Sequence, residues 1–277
     1  MKFYCSIHEI KKTKTVLVGV PYDGTSTYRP GSRFAPQAIR EASYGIESYS
    51  PYQDKDLRDI RFYDIGDIPL SYGDKELNLK LIEAFIIKLI MKGKKTLALG
   101  GEHLITYPLI KAYAKKYKEF AIVQLDAHSD LIDSYRGESL SHATVMRRCS
   151  EIVGFENLYQ LGIRSMVEED KLLPHRDVNM GLFDLSKAEE FLKRIGDKPI
   201  YLTVDLDVLD PSIFPGTGTP EPGGITYKEI LSFLKLLRQK KIIGADVVEL
   251  SPHYDPTGVS SVVAASIVRE ILLIMGN

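Results

Sequence analysis

Short apolar runs alternate with stretches of helical periodicity from one end of the chain to the other. TVLVGV (Thr15 to Val20), TLALG (Thr96 to Gly100), FAIVQLD (Phe120 to Asp126), LYQLGI (Leu158 to Ile163), PIYLTVDLD (Pro199 to Asp207) and IIGADVVEL (Ile242 to Leu250) are almost uninterrupted in apolar residues. A strand with one wet face alternates apolar and polar residues, whereas a strand covered on both faces does not. These runs therefore predict parallel strands sandwiched between helices. Between them, Leu81, Ile82, Phe85, Ile86, Leu89 and Ile90 recur at helical spacing, with Asp74 placed to cap the helix and Gly93 to stop it. Thr226, with Glu229 three residues on, forms a capping box ahead of Ile230, Phe233, Leu234 and Leu237. The alternation predicts an α/β fold, a mainly parallel sheet layered by helices.

No internal repeat, low-complexity tract or linker interrupts the pattern, so residues 1–277 read as one domain. The Gly- and Pro-rich stretch FPGTGTPEPGG (Phe214 to Gly224) is too short for a linker and reads as a shaped loop.

Charge narrows the partners. Lys and Arg number 36 against 37 Asp and Glu, a formal charge of -1, which argues against the basic footprint that nucleic acid or an anionic membrane requires and points to a small ligand. The opening MKFYCSIHEIKK has no apolar core after its basic residue, so a cytoplasmic protein is expected. LIEAFIIKLIM and VSSVVAASIV are broken by charge well short of the roughly 18 to 20 residues of a bilayer span. Cys5 and Cys149 have no CxxC spacing and are expected to be free thiols.

The candidate chemistry lies where apolar runs end. In an extended segment side chains alternate, so Asp126, His128 and Asp130 point one way, as do Asp205 and Asp207. In open α/β sheets ligands gather outside the carboxyl ends of strands. TLALGGEH delivers His103 to the same kind of position through a turn at Gly100 and Gly101. Four carboxylates and two imidazoles from three strand ends repel one another unless they protonate or take up cations, and two dications balance the four Asp. Oxygen-rich ligation with imidazole suits manganese better than zinc. Taken singly, a DxD at a strand end is equally a solvated loop or a helix cap, and His103 a polar turn residue; the joint occurrence is what points to metal. A calcium loop beginning at Asp205 is excluded, because Asp210 stands where Gly is required and Gly216 where Glu is required.

In their order, GGEH (Gly100 to His103), DAHSD (Asp126 to Asp130), SHAT (Ser141 to Thr144), DLDVLDP (Asp205 to Pro211) and VVEL (Val247 to Leu250) match the motifs of the ureohydrolase family of arginases and agmatinases, and the chain resembles that family from GVPYDGTSTYRPGSRFAPQAIR (Gly19 to Arg40) nearly to its C-terminus. The resemblance implies a three-layer α/β/α fold with a central parallel sheet of about eight strands, and a trimer or hexamer. It implies two Mn2+ per subunit, one held by His103, Asp126, Asp130 and Asp205, the other by Asp126, His128, Asp205 and Asp207, with Asp126 and Asp205 bridging. It further implies that a metal-bound hydroxide attacks a guanidinium carbon, that His142 shuttles protons near the leaving group while titrating near neutrality, and that Glu249 orients the guanidinium. Read alone, His142 after Ser141 is equally a helix-start residue, and Glu249 a strand-end surface acid.

Among ureohydrolases, LIDSYRGESLSH lacks the SGNxHG-type loop with which arginases receive the α-carboxylate and α-amine, and PGTGTPEPGG and RPGSRFAPQAIR resemble agmatinases. The expected reaction is hydrolysis of agmatine to putrescine and urea. Arginine, 4-guanidinobutanoate and formimidoylglutamate are the alternative substrates, and a non-catalytic homologue is the alternative of another class. The sequence departs from the common SHGT at Ala143. Arg136 in the substrate loop would favour a carboxylate-bearing substrate and Glu138 a cationic one, but loop charges of this sort more often face water, so neither settles the substrate. His8, His175 and His253 fall outside the motifs and read as ordinary polar residues.

Overall fold

The computed structural model describes residues 1–174 and 180–276. Ten strands are described: β1 (Thr15–Gly19), β2 (Tyr49–Ser50), β3 (Lys55–Asp56), β4 (Phe62–Asp67), β5 (Lys95–Leu99), β6 (Ala121–Leu125), β7 (Leu158–Leu161), β8 (Met180–Gly181), β9 (Ile200–Asp205) and β10 (Ile242–Val248). Eight form one sheet in the order β4-β1-β5-β10-β9-β6-β7-β8, every pairing parallel, while β2 and β3 make a separate antiparallel hairpin. The six strands expected from apolar runs are all present, their ends within two residues of the runs.

Two sheet strands escape the hydrophobic pattern. β4 carries Asp64 into the interior, where it takes a two-pronged bond from Arg40 (Nε 2.8 Å, Nη2 3.0 Å) and the amide of Phe3 (2.7 Å). A buried charge is tolerable once so paired, but the pairing cannot be seen along one chain segment. β8 spans only two residues, too few for any periodicity.

Among the described residues, seven helices cover the sheet: α1 (Ala35–Ala42), α2 (Lys75–Met91), α3 (Thr106–Ala114), α4 (Val145–Val153), α5 (Leu185–Ile195), α6 (Tyr227–Leu236) and α7 (Val259–Met275). Residues of α2, α3 and α4 pack on one face with Val18, Ala98, Ile122 and Tyr201; residues of α1, α5, α6 and α7 pack on the other with Leu17, Leu97, Val123 and Leu202. Consecutive strand residues thus feed opposite cores, and the fold is the expected three-layer α/β/α sandwich around an eight-stranded parallel sheet. The caps form as read: Asp74 accepts the amide of Leu77 at 2.8 Å, and Thr226 and Glu229 bond reciprocally.

Register places the site. Leu99, Val247, Val204 and Leu125 stand side by side across β5, β10, β9 and β6. One row earlier come Ala98, Asp246, Thr203 and Gln124; one residue beyond come Gly100, Val248, Asp205 and Asp126. The four central strands therefore end together, with a polar row beneath the first carboxylates. After β5 and β6 the chain runs to helices on one face, after β9 and β10 to helices on the other. Neighbouring strands that diverge in this way open a crevice at their carboxyl ends.

Candidate metal centre

His103, Asp126, Asp130 and Asp205 converge although they leave three different strands. His103 Nδ1 lies 3.0 Å from Asp126 Oδ2, 3.1 Å from Asp130 Oδ2 and 3.3 Å from Asp205 Oδ2. His128 Nδ1 lies 2.9 Å from Asp207 Oδ2 and 3.7 Å from Asp126 Oδ1. Two groups have ligand geometry, His103 with Asp126 and Asp205, and Asp126 with His128 and Asp207, each with its ligand atoms within 4.8 Å of one another. Asp126 belongs to both. Asp205 belongs to the first only.

The backbone aims these carboxylates. Asp126 Oδ1 accepts the amide of His128 at 2.6 Å, Asp205 Oδ1 that of Asp207 at 2.9 Å, and Asp207 Oδ1 that of Ala127 at 3.0 Å. One oxygen of each acid is thereby held, and the other faces an imidazole. Asp130 adopts φ 54° and Glu249 φ 65°, the left-handed region that side chains rarely occupy and that clusters at functional sites. Gly101 has its own constraint: a Cβ there would lie 1.8 Å from the carbonyl oxygen of Tyr22. The GGEH turn is therefore closed to any larger residue.

The polar row supports the acids from below. Gln160 donates to Gln124 at 2.6 Å, and Gln124 donates to Asp126 Oδ2 at 2.5 Å. Thr203 Oγ1 donates to Asp246 Oδ1 at 2.6 Å and lies 2.9 Å from His103 Nε2; Tyr201 and Thr106 also donate to Asp246. Since the hydroxyl hydrogen of Thr203 is committed to a carboxylate, its oxygen accepts from His103 Nε2–H. The lone pair of the neutral ring is then on Nδ1, which is buried and lacks a hydrogen-bond partner. Three carboxylate oxygens around that nitrogen call for positive charge, either a proton on Nδ1 or a bound cation, and the donor set of oxygens plus imidazole fits a hard divalent ion.

With no ion bound, the imidazoles themselves would take up the positive charge that the carboxylates demand. Burial opposes charge on His103, yet Asp126, Asp130 and Asp205 outweigh it and hold the imidazole well above its ordinary value. His128 is likewise desolvated, but Asp207 and Asp126 push it up to about 12. Burial, and then repulsion from Asp126, raise Asp130 to about 6; burial, Asp207 and Asp126 raise Asp205 further above the carboxylate range. Asp126 goes down despite burial, because the two imidazoles beside it are held positively charged. The cluster keeps its acids ionised only with positive charge among them.

A cavity of about 250 Å3 opens on this cluster, and His142, Glu249, Thr27, Tyr28, Ile132, Tyr135 and Thr219 also line it. Glu249 Oε1 accepts the amide of His103 at 2.7 Å, so the acid read as a possible surface residue is buried at the site. Ser141 caps the short helical turn His142–Thr144, and His142 is thus both a helix-start residue and part of the cavity wall. Burial pushes His142 down to about 4, below the near-neutral titration expected from sequence. Thr219, from the Gly- and Pro-rich loop, donates to Asp207 at 3.2 Å.

Arg136 and Glu138 do not line the cavity: the guanidinium lies 5.7 Å from the Tyr135 ring centroid, and Glu138 pairs with Lys75. His8 is exposed and His253 packs edge-on against Phe34; neither lines the cavity, and His175 lies outside the described residues. Cys149 is buried, Cys5 half-buried, and both are free. Among the described residues no helix is long and apolar enough to cross a membrane. Sequence reasoning missed Glu102, Thr25, Gln124, Thr203 and Asp246. Asp246 alone carried a signal, an acid in the middle of an apolar run.

Known proteins are similar to the chain over nearly its whole length. The agmatinase of Bacillus anthracis is 46% identical over 275 residues, covering 98% of this chain and 95% of that protein. A solved structure of a candidate agmatinase from Clostridium difficile superposes with a TM-score of 0.93 at 42% identity, covering 97% of this chain and 99% of that one. The agmatine ureohydrolase of Thermoplasma volcanium gives a TM-score of 0.87 at 32% identity over 99% of this chain and 94% of its own. The Arginase family model matches residues 13–274, the span that carries every acid and imidazole of the cluster, and the chain therefore belongs to the arginase family.

Proposed function

We propose that the chain, as one catalytic domain over 1–277, hydrolyses agmatine to putrescine and urea and so supplies putrescine for polyamine biosynthesis. The 46% identity to an agmatinase over nearly full length supports the substrate. The observation that carries the hydrolytic chemistry is His103 Nδ1, buried without a hydrogen-bond partner and within 3.3 Å of three carboxylates. Two Mn2+ would serve as the cofactor: His103, Asp126, Asp130 and Asp205 would hold one, and Asp126, His128 and Asp207, joined by Asp205, would hold the other. When bound, the ions act as Lewis acids and lower the pKa of water so that hydrolysis proceeds near neutral pH.

The remaining tasks fall to the protein. Glu249 is pinned through Oε1 by the amide of His103; burial, and then Glu102, raise it well above its ordinary value, and the positive charge of an arriving guanidinium would favour the ionised form that accepts its N–H groups in charge-assisted bonds. His142, neutral at neutral pH because burial holds it at about 4, starts as a proton acceptor and passes the proton to the leaving amine. No Lys or Arg is among the described residues lining the cavity, so nothing there compensates the carboxylate of arginine or 4-guanidinobutanoate.

The test is urea release from agmatine, arginine and 4-guanidinobutanoate, side by side on manganese-loaded protein, with formamide release from formimidoylglutamate as a fourth arm. The expected result is a kcat/KM for agmatine at least about tenfold above the others. Faster turnover of arginine would overturn the substrate; no turnover with metal bound would identify a non-catalytic homologue. We further propose that the protein is a cytoplasmic homo-oligomer, a trimer or hexamer, whose mass light scattering would measure.

A further inference from the structure

We propose that Glu102 and Thr25 are positioning residues that fix the orientation and proton placement of His142; the inference rests on the reading of His142 as the proton-transferring group. Glu102 is fully buried, yet it gathers three donors from one loop: Thr25 N at 2.8 Å, Thr25 Oγ1 at 2.6 Å and Ser26 Oγ at 3.1 Å. Both oxygens of Glu102 receive bonds from this loop, and with the carboxyl ionised they only accept, so the single hydroxyl hydrogen of Thr25 is then committed to Glu102. The oxygen of Thr25 then has only lone pairs for its other two neighbours. Both belong to His142: its backbone N at 3.0 Å and its Nδ1 at 3.4 Å.

An oxygen that can only accept requires Nδ1 to carry the hydrogen, which leaves the lone pair of the neutral ring on Nε2, the nitrogen remote from Thr25. The ring is also braced on its face. Tyr135 packs against it edge-on, with centroids 5.6 Å apart and planes at 80°, and the Tyr135 hydroxyl lies 3.4 Å from Thr27 Oγ1. Residues 25–27 therefore hold His142 directly through Thr25 and indirectly through Tyr135. The logic is that of a base oriented by an acid, with a hydroxyl interposed between them.

A double-mutant cycle on the manganese-loaded protein tests this. Thr25→Val keeps the shape and removes the hydroxyl; the expected result is a fall in kcat of about 10- to 100-fold, with KM and bound manganese unchanged. Thr25→Ser retains the hydroxyl and is expected to stay within about threefold of wild type in kcat. In a His142→Asn background, Thr25→Val is expected to change kcat less than about threefold, because the residue it serves is gone. Equal losses from Thr25→Val in both backgrounds, or a Thr25→Ser as slow as Thr25→Val, would overturn the inference while leaving His142 in its role. Wild-type kcat in His142→Asn would instead remove the proton-transfer reading, and the inference with it.

Discussion

His103 Nε2 lies 2.9 Å from Thr203 Oγ1, and this contact decides which nitrogen of the imidazole faces the carboxylates. Thr203 stands two residues before Asp205 on β9, so the strand that supplies an acid also orients the histidine opposite it. Behind Thr203, Asp246 accepts from three hydroxyls and fixes the direction of the whole chain of bonds.

Thr203→Val removes that acceptor while preserving volume. Manganese affinity is expected to fall about 10- to 100-fold, the usual consequence of losing the group that orients a metal-ligating histidine. Metal content after dialysis against graded chelator would measure it, and unchanged affinity would show that the contact does not orient the ring.

Glu249→Gln retains an oxygen for the amide of His103 but removes the charge that would face a guanidinium. A hydrogen bond to a charged group contributes about 1.5–3 kcal/mol, so kcat/KM for agmatine should fall about 10- to 150-fold at constant metal content. Steady-state kinetics alongside metal analysis would separate this from loss of the centre.

Gly101→Ala would place a methyl group 1.8 Å from the Tyr22 carbonyl, between two backbone segments that have no flexible end to give way. A loss of at least about 3 kcal/mol is expected in denaturant unfolding. Gly45→Ala is the control: nothing lies within 4 Å of its Cβ, and a change within about 0.5 kcal/mol is expected.

Asp255 caps α7 from upstream, accepting the amides of Ser260 at 2.7 Å and Thr257 at 3.1 Å. Burial opposes its charge, but these bonds and those from the neighbouring hydroxyls prevail, and its pKa falls to about 2. The folded value lies below the unfolded value of about 3.9, so the stabilisation is complete above that pH and is lost as pH falls towards about 2. Asp255→Ala should lower the melting temperature by about 2–4 °C near neutrality. That gap should close in melts run from pH 5 down to pH 2; a gap that stayed constant would show that the charge of Asp255 is not what caps the helix.

The layer architecture and the acids and imidazoles of the cluster were legible along the chain. Buried parallel strands announce themselves as unbroken apolar runs, and the functional residues follow those runs immediately, so FAIVQLD and PIYLTVDLD carried strand and site in one segment. Only the tertiary structure decided how the pieces meet. The alignment of Leu99, Val247, Val204 and Leu125 across four strands, set by pairing between segments far apart along the chain, brings His103 within 3.0 Å of Asp126. The polar row of Gln124, Thr203 and Asp246, the Arg40–Asp64 pair that admits β4, and the bond from Thr25 to Glu102 are likewise compensations between distant residues. A buried polar group is tolerable only once its partner is in place, and one-dimensional periodicity holds no record of which partner folding will bring.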